Sequence, residues 1–238
     1  MSALHAVAPE LVPKPIAWGK VKDAATETHF LVVEFKDLVP GGVLPDAAKL
    51  GSRIAAMHKR SASPNGKFGF HVQTYDGSRI QAVGWDDKWT PFFGRLLAEA
   101  YAQDVAANGV WPALEAAFAR TQSRLVPRLI GELEAEGRSV TPRLIHGDLW
   151  DGNVGVDAAT GDPWIFDAAA YYAHHEMELG IWAAERHALS RGPYVREYLD
   201  RMGRSEPAGE CEDRIRLYSA KTNFMHSAVF PGSPARWS

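Results

Sequence analysis

Apolar positions recur along this chain with two different spacings, and the switch between them divides it. Residues 1–8 read as the end of a helix stopped by Pro9, and the Pro-punctuated link Val12-Pro13-Lys14-Pro15 leads into a short strand at 16–19. Residues 29–35 are β-branched and aromatic and predict a buried strand. After the Pro40-Gly41-Gly42 break, Leu50, Ile54 and Met57 fall at helical spacing and predict a helix over 45–60. Residues 61–86 are rich in loop formers. Long helical patterns then cover 88–107 and 111–137, split by Asn108-Gly109.

The texture changes again at three short apolar runs, 143–145, 154–156 and 164–166. The turn formers between Asp157 and Asp162 make the last two a predicted β-hairpin. Helical patterns return at 176–190, 193–203 and 211–229, broken by Arg191-Gly192-Pro193 and Glu206-Pro207. The expected class is α+β: a small strand-bearing start, then a mostly helical body with one embedded hairpin.

Composition removes several function classes. Hydrophobic residues make up 46% of the 238 and charged residues 23%, a balance that supports a packed core. A net charge of −3 lacks the basic stripe a nucleic-acid surface needs. Cys211 is the single cysteine, so neither an internal disulfide nor a thiolate metal cluster can form, which suits a reducing cytoplasm. No stretch approaches the ~18 apolar residues of a membrane span, and residues 1–10 lack a secretory pattern. No Gly-x-Ser-x-Gly occurs, which sets the obvious hydrolase aside.

The chemistry concentrates in His146-Gly147-Asp148-Leu149-Trp150-Asp151-Gly152-Asn153, with Asp167 ending the second hairpin strand. Phosphoryl transfer from a nucleotide needs a carboxylate to orient the attacking hydroxyl and accept its proton, and hard oxygen ligands for Mg²⁺. Asp148 suits the first task; the Asn153 side-chain carbonyl and the Asp167 carboxylate suit the second. His-Gly-Asp alone says little, because Asp often caps turns and His often sits hydrogen-bonded in a core. Asn153 at its offset and a strand-ending Asp167 make the combination specific.

These residues through Val154, with Trp164-Ile165-Phe166-Asp167-Ala168-Ala169 and the segment from Tyr171 to Leu179, closely resemble the fructosamine/ketosamine-3-kinase family. That family stands beside the aminoglycoside phosphotransferases and choline kinases. Phe68-Gly69-Phe70-His71, Gln81, Trp85, Trp89, Phe92-Phe93 and Asp213-Arg214 extend the resemblance over residues 1 to about 236.

The resemblance implies a protein-kinase-like fold of the aminoglycoside phosphotransferase type, using ATP and Mg²⁺. The implied reaction phosphorylates the 3-hydroxyl of ketosamines, free or on glycated protein lysines. It casts Asp148 as base, Asn153 and Asp167 as metal ligands, and Val33-Glu34-Phe35 as the hinge whose backbone meets adenine. Trp150 would stack on the sugar or pack in the core. Trp85, four residues before Trp89, would share a helix face in the core or wall the sugar pocket. Glu178 would brace the catalytic loop. Val83 stands where the family pattern has Asn, which touches one substrate-side contact.

No Gly-rich phosphate loop, strand Lys or partnering helix Glu appears before the hinge, where only about 28 residues precede the strand. The expectation is therefore a chain starting roughly fifty residues into a two-lobe layout. Residues 1–36 would be a remnant of the nucleotide lobe and hinge, and 37–238 the catalytic and substrate lobe. A catalytically weak binding remnant and an aminoglycoside- or choline-type kinase are the competing expectations. His174-His175-Glu176 suggests a metal site, but adjacent histidines on an extended segment should point opposite ways. Phe68-Gly69-Phe70 is preceded by Lys67, which cannot bind Mg²⁺ as the Asp of an Asp-Phe-Gly would.

Overall fold

The computed structural model describes residues 1–22 and 26–236. Residues 23–25 and 237–238, within the two expected units, lie outside the described residues. Helix α1 (Ser2–Val7) precedes an antiparallel ribbon of β1 (Pro15–Lys20) and β2 (His29–Val33). Helix α2 (Ala47–Arg60) starts at Asp46, whose side chain accepts a hydrogen bond from the Lys49 N–H at 2.8 Å. A small hairpin, β3 (Tyr75–Asp76) and β4 (Arg79–Ile80), turns at Gly77, which has φ +56°. Helices α3 (Trp89–Asn108) and α4 (Pro112–Arg120) follow. Next come β5 (Arg143–Ile145), β6 (Val154–Val156), β7 (Pro163–Ile165) and β8 (Tyr171–Ala173). Helices α5 (Leu179–Trp182), α6 (Tyr194–Met202) and α7 (Cys211–Val229) complete the body.

Two hydrophobic cores form, and the ribbon of β5 and β8 lies between them. Because successive strand side chains point to opposite faces, Leu144 and Tyr172 enter the core built on α1, α2 and α6, while Ile145 and Tyr171 enter the aromatic core of α3 and α7. In the second core the Trp89 indole donates to the Tyr218 hydroxyl at 2.9 Å, and Phe93 meets the Tyr218 ring edge-on. Leu4, Ala8, Leu11 and Val12 belong to the first core, so residues before the β1–β2 ribbon pack on the helical body.

The expected hairpin is present, pairing Val154 with Ile165 and Val156 with Pro163, one residue earlier than the apolar run suggested. Three expectations need correction. The 29–35 strand is not buried: it ends at Val33, Phe30, Leu31 and Val32 are exposed, and Phe35 is 87% exposed, because among the described residues no second layer covers the ribbon. The 111–137 pattern is not one α-helix. It changes at Arg120 into a π-helical stretch (Thr121–Ile130) and a 3₁₀ turn (Gly131–Glu134), around Pro127, which has no N–H to donate. The 176–190 pattern breaks into a 3₁₀ turn (His175–Glu178), the single turn of α5 and a second 3₁₀ turn (Ala188–Arg191). No helix among the described residues is long and apolar enough to cross a membrane.

Candidate active site

The catalytic loop leaves β5 at His146, and a buried carboxylate fixes its path. Glu178 accepts the backbone N–H of His146 at 2.6 Å and of Gly147 at 2.9 Å, so it braces the loop as expected. Burial raises the Glu178 pKa, but these bonds and the adjacent His58 and His146 outweigh it and hold the carboxyl below its usual range. His58 Nε2 lies 3.4 Å from the carboxylate. Gly147 has φ +81°, and a Cβ there would stand 2.6 Å from the Ala169 carbonyl oxygen, so glycine alone lets the two loops approach. On the far side, the Trp182 indole donates to the Leu149 carbonyl at 2.7 Å.

Asn153 ties the three predicted chemical residues together. Its side-chain N–H₂ donates to the Asp148 carbonyl at 2.8 Å, to the Asp148 carboxylate at 3.1 Å and to the Asp167 carbonyl at 3.3 Å. Asp167 adopts φ +58°, an uncommon backbone state for a non-glycine residue and one that clusters at functional sites. Burial pushes the Asp148 carboxyl up to about 7. The charges of Asp76 and Asp167 add to the rise, and Lys221 and the Asn153 hydrogen bond oppose it.

With Asn153 Nδ2 turned inward, its Oδ1 has no protein partner among the described residues, and neither has the Asp167 carboxylate. Both residues line one cleft of about 380 Å³. Two unpartnered hard oxygen donors, one amide and one carboxylate, beside the Asp148 carboxylate fit a divalent cation such as Mg²⁺. Asp148 and Trp150 line the same cleft. Trp150, 37% exposed, is wedged between Gly152 and His187, with its ring centroid 5.5 Å from that imidazole, so it is a cleft wall rather than a core residue.

Other predicted residues lie elsewhere. Trp85 stacks on Tyr172, ring centroids 6.2 Å apart, and packs against the first core ahead of α3; it shares no helix face with Trp89 and does not line the cleft. Val83 is a buried core residue. Val33, Glu34 and Phe35 also lie outside the cleft. The Glu34 N–H already donates to the Lys14 carbonyl at 2.8 Å, and its carboxylate pairs with Lys36 at 2.7 Å.

His174 and His175 do not point apart. The chain turns into a 3₁₀ helix there, and both rings reach the Ser205 hydroxyl, at 2.8 and 3.2 Å. Their other nitrogens meet the Tyr218 and Tyr198 hydroxyls, and Glu176 pairs with Arg214 at 2.7 Å, so every metal-capable group there has a protein partner.

Sequence reasoning missed the charges around Asp148. Asp76, at the tip of the β3–β4 hairpin, pairs with Lys221 at 2.9 Å, and Lys221 also donates to Gln81 at 2.7 Å. Gln81 in turn donates to the Ala169 carbonyl at 3.1 Å, which links α7 to the segment after Asp167. The available signal was a lysine inside the buried stripe Leu217, Lys221, Met225; a buried lysine needs a partner.

A sequence profile described as fructosamine kinase matches residues 1–233. A chloroplastic protein-ribulosamine 3-kinase of Oryza sativa subsp. japonica is 32% identical over 214 residues, covering 87% of this chain and 56% of that protein. A ketosamine-3-kinase of Mus musculus is 33% identical over 199 residues, covering 71% and 58% respectively. The chain thus spans somewhat over half the length of these curated relatives. Among solved structures, a Thermobifida fusca protein assigned as a fructosamine-3-kinase superposes with a TM-score of 0.74 at 23% identity, covering 99% of this chain and 74% of that one. An aminoglycoside phosphotransferase in ternary complex with AMP-PNP and hygromycin B gives a TM-score of 0.60 at 18% identity, covering 94% and 72%. The fold is therefore the protein-kinase-like one of the aminoglycoside phosphotransferases, and by profile and identity alike the chain belongs to the fructosamine kinase family.

Proposed function

We propose that this chain carries the catalytic and acceptor site of a kinase that transfers a phosphoryl group from Mg²⁺-ATP to the 3-hydroxyl of a ketosamine, either a ribulosamine or a fructosamine. The observation that carries this reading is the convergence of Asp148, Asn153 and Asp167 with Trp150 in one cleft, bound together through the Asn153 amide. Asp148 orients the attacking hydroxyl and takes its proton; a carboxyl raised to about 7 by burial suits a base working near neutrality. Asn153 and Asp167 hold the Mg²⁺, which when bound neutralises charge developing on the transferring phosphoryl group. Trp150 offers the sugar an apolar face.

Residues 1–36 are assigned to the nucleotide side and 37–238 to the catalytic and substrate lobe, with residues 1–12 packed against the latter. The Val33–Phe35 segment is the hinge in this reading, through backbone groups other than the Glu34 N–H. ATP use is supported by the nucleotide complex of the aminoglycoside phosphotransferase, and ketosamines as acceptors by the names of the rice and mouse relatives. Glycated proteins are the acceptors that would make the reaction a deglycation step.

The test is to incubate the purified chain with Mg²⁺-ATP and a ribulosamine or fructosamine, and to follow the 3-phosphate by phosphorus NMR. Product formation supports the reading. Absence of product together with no thermal shift from Mg²⁺-ATP removes the kinase activity of this chain and leaves its family membership standing.

A further inference from the structure

One cation in the cleft wall has no task in phosphoryl transfer as described. Arg186 lies beyond α5 and lines the cleft with Asp76, Asp148 and Trp150. Its Nη1 donates to the Asn223 side-chain carbonyl on α7, which holds the guanidinium from one side. The Nε is fully buried without a hydrogen-bond partner, and among the described residues no protein group meets Nη2. Nε is closed to solvent and Nη1 is taken, which leaves Nη2 as the donor that an acceptor in the cleft can meet. An unpartnered Nη2 on a residue that lines the cleft marks a place for an acceptor that the protein does not supply.

The neighbouring groups do not duplicate this charge. Lys221 is spent on Asp76 and Gln81. Burial, with the Arg186 charge beside it, lowers His187 to about 4 and His226 below its usual range, so both imidazoles are neutral near pH 7. Arg186 is therefore the one surplus cation among these wall residues, and the charges of Asp76 and Asp148 act on it across the cleft.

A second cavity, of about 720 Å³, opens beyond Arg186. Trp150, Arg186, His187 and His226 line both spaces, so the guanidinium stands at their junction. The outer lining includes Ala183, Ala184, Ala220 and Pro234. Three carbons separate the 3-hydroxyl oxygen of a ketosamine from its nitrogen, so with that hydroxyl at Asp148 whatever the amine carries lies beyond the sugar.

We propose that the amine-bearing half of the substrate lies at this junction and that Arg186 reads it, pairing through Nη2 with a carboxylate a few bonds from the ketosamine nitrogen. The preferred acceptors are then adducts of amino acids whose carboxylate is free, rather than adducts of neutral amines. The outer cavity receives the amino-acid side chain. This rests on the ketosamine reading for the sugar half, while the anion contact can be measured without catalysis.

The test is isothermal titration of the full chain with ribulosyl-glycine and with ribulosyl-glycinamide, which differ in the carboxylate alone. The expected result is that the acid binds about tenfold more tightly than the amide, as befits a charge-assisted hydrogen-bonded pair. Arg186→Gln should shrink the preference to about twofold or less, and Arg186→Lys, which keeps the charge but not the Nη2 donor, to an intermediate value. Equal affinities in the unsubstituted chain, no binding of either compound, or a preference that survives Arg186→Gln would overturn the proposal. The comparison of acid with amide on the unsubstituted chain decides the matter even if neither variant folds. Phosphorus NMR on the same samples after addition of Mg²⁺-ATP reports separately on phosphotransfer: product with equal affinities removes this inference alone, and preferential binding without product removes the kinase reading alone.

Discussion

At the scale of single residues, the site depends on a carboxylate that never touches the reaction. Glu178 is buried and accepts two backbone N–H groups of the catalytic loop. Glu178→Ala strands both donors in a dry interior at about 1–3 kcal/mol each, so a loss of about 2–6 kcal/mol in unfolding free energy is expected from urea titration. A loss under about 1 kcal/mol would mean that the loop is held some other way. Asp148, Asn153 and Asp167 were legible in the sequence because one short loop and the hairpin beside it set their geometry, and the Asn153 amide closes it. Asp76, Lys221 and Arg186 were not, because a hairpin tip, a long helix and the residues after α5 meet through tertiary packing alone. Trp85, which reads from sequence first as core and second as a wall of the sugar pocket, stacks on Tyr172 and packs against the first core.

At the scale of elements, close helix contacts position the ribbon that carries the loop. Gly51 on α2 meets α6 so tightly that a Cβ would stand 2.8 Å from the backbone of Glu197 and Tyr198. Gly51→Ala gains up to about 1 kcal/mol of helix propensity but overpacks a backbone contact costing about 1–3 kcal/mol, so a net destabilisation is expected. A raised melting temperature in this variant would show that α2 and α6 can part without cost. Helices α2, α3 and α7 and the β6–β7 hairpin follow the apolar spacing of the chain, since each buries one face. The 176–190 segment does not, because Glu176 and Glu178 must reach Arg214 and the catalytic loop in different directions, and neither contact shows in hydrophobic periodicity.

At the scale of the molecule, two cores share one ribbon, and several histidines are sealed among them. Burial lowers the pKa of His146, His174 and His175, in the last two well below the ordinary 6.5. Below about pH 6.5 the unfolded chain therefore binds protons that the native chain refuses, so native stability is full above that value and falls as the pH drops. The urea midpoint is expected to decline between about pH 7.5 and about pH 5.5, and a flat profile would show that these imidazoles accept protons without unfolding. The chain spans 56% and 58% of the rice and mouse relatives it matches, and both cores and the cleft that gathers Asp148, Asn153 and Asp167 lie within it.

The central claim is that Asp148 takes the proton of the substrate hydroxyl within that cleft. Its most direct test is the rate of 3-phosphate formation from Mg²⁺-ATP and a ribulosamine, comparing the unsubstituted chain with Asp148→Asn. The isosteric change removes the base while keeping an oxygen that can accept the Asn153 hydrogen bond at the 3.1 Å site. The account predicts a melting temperature close to that of the unsubstituted chain and a rate lower by about 10²–10⁴-fold. Turnover retained in a folded Asp148→Asn chain would contradict it.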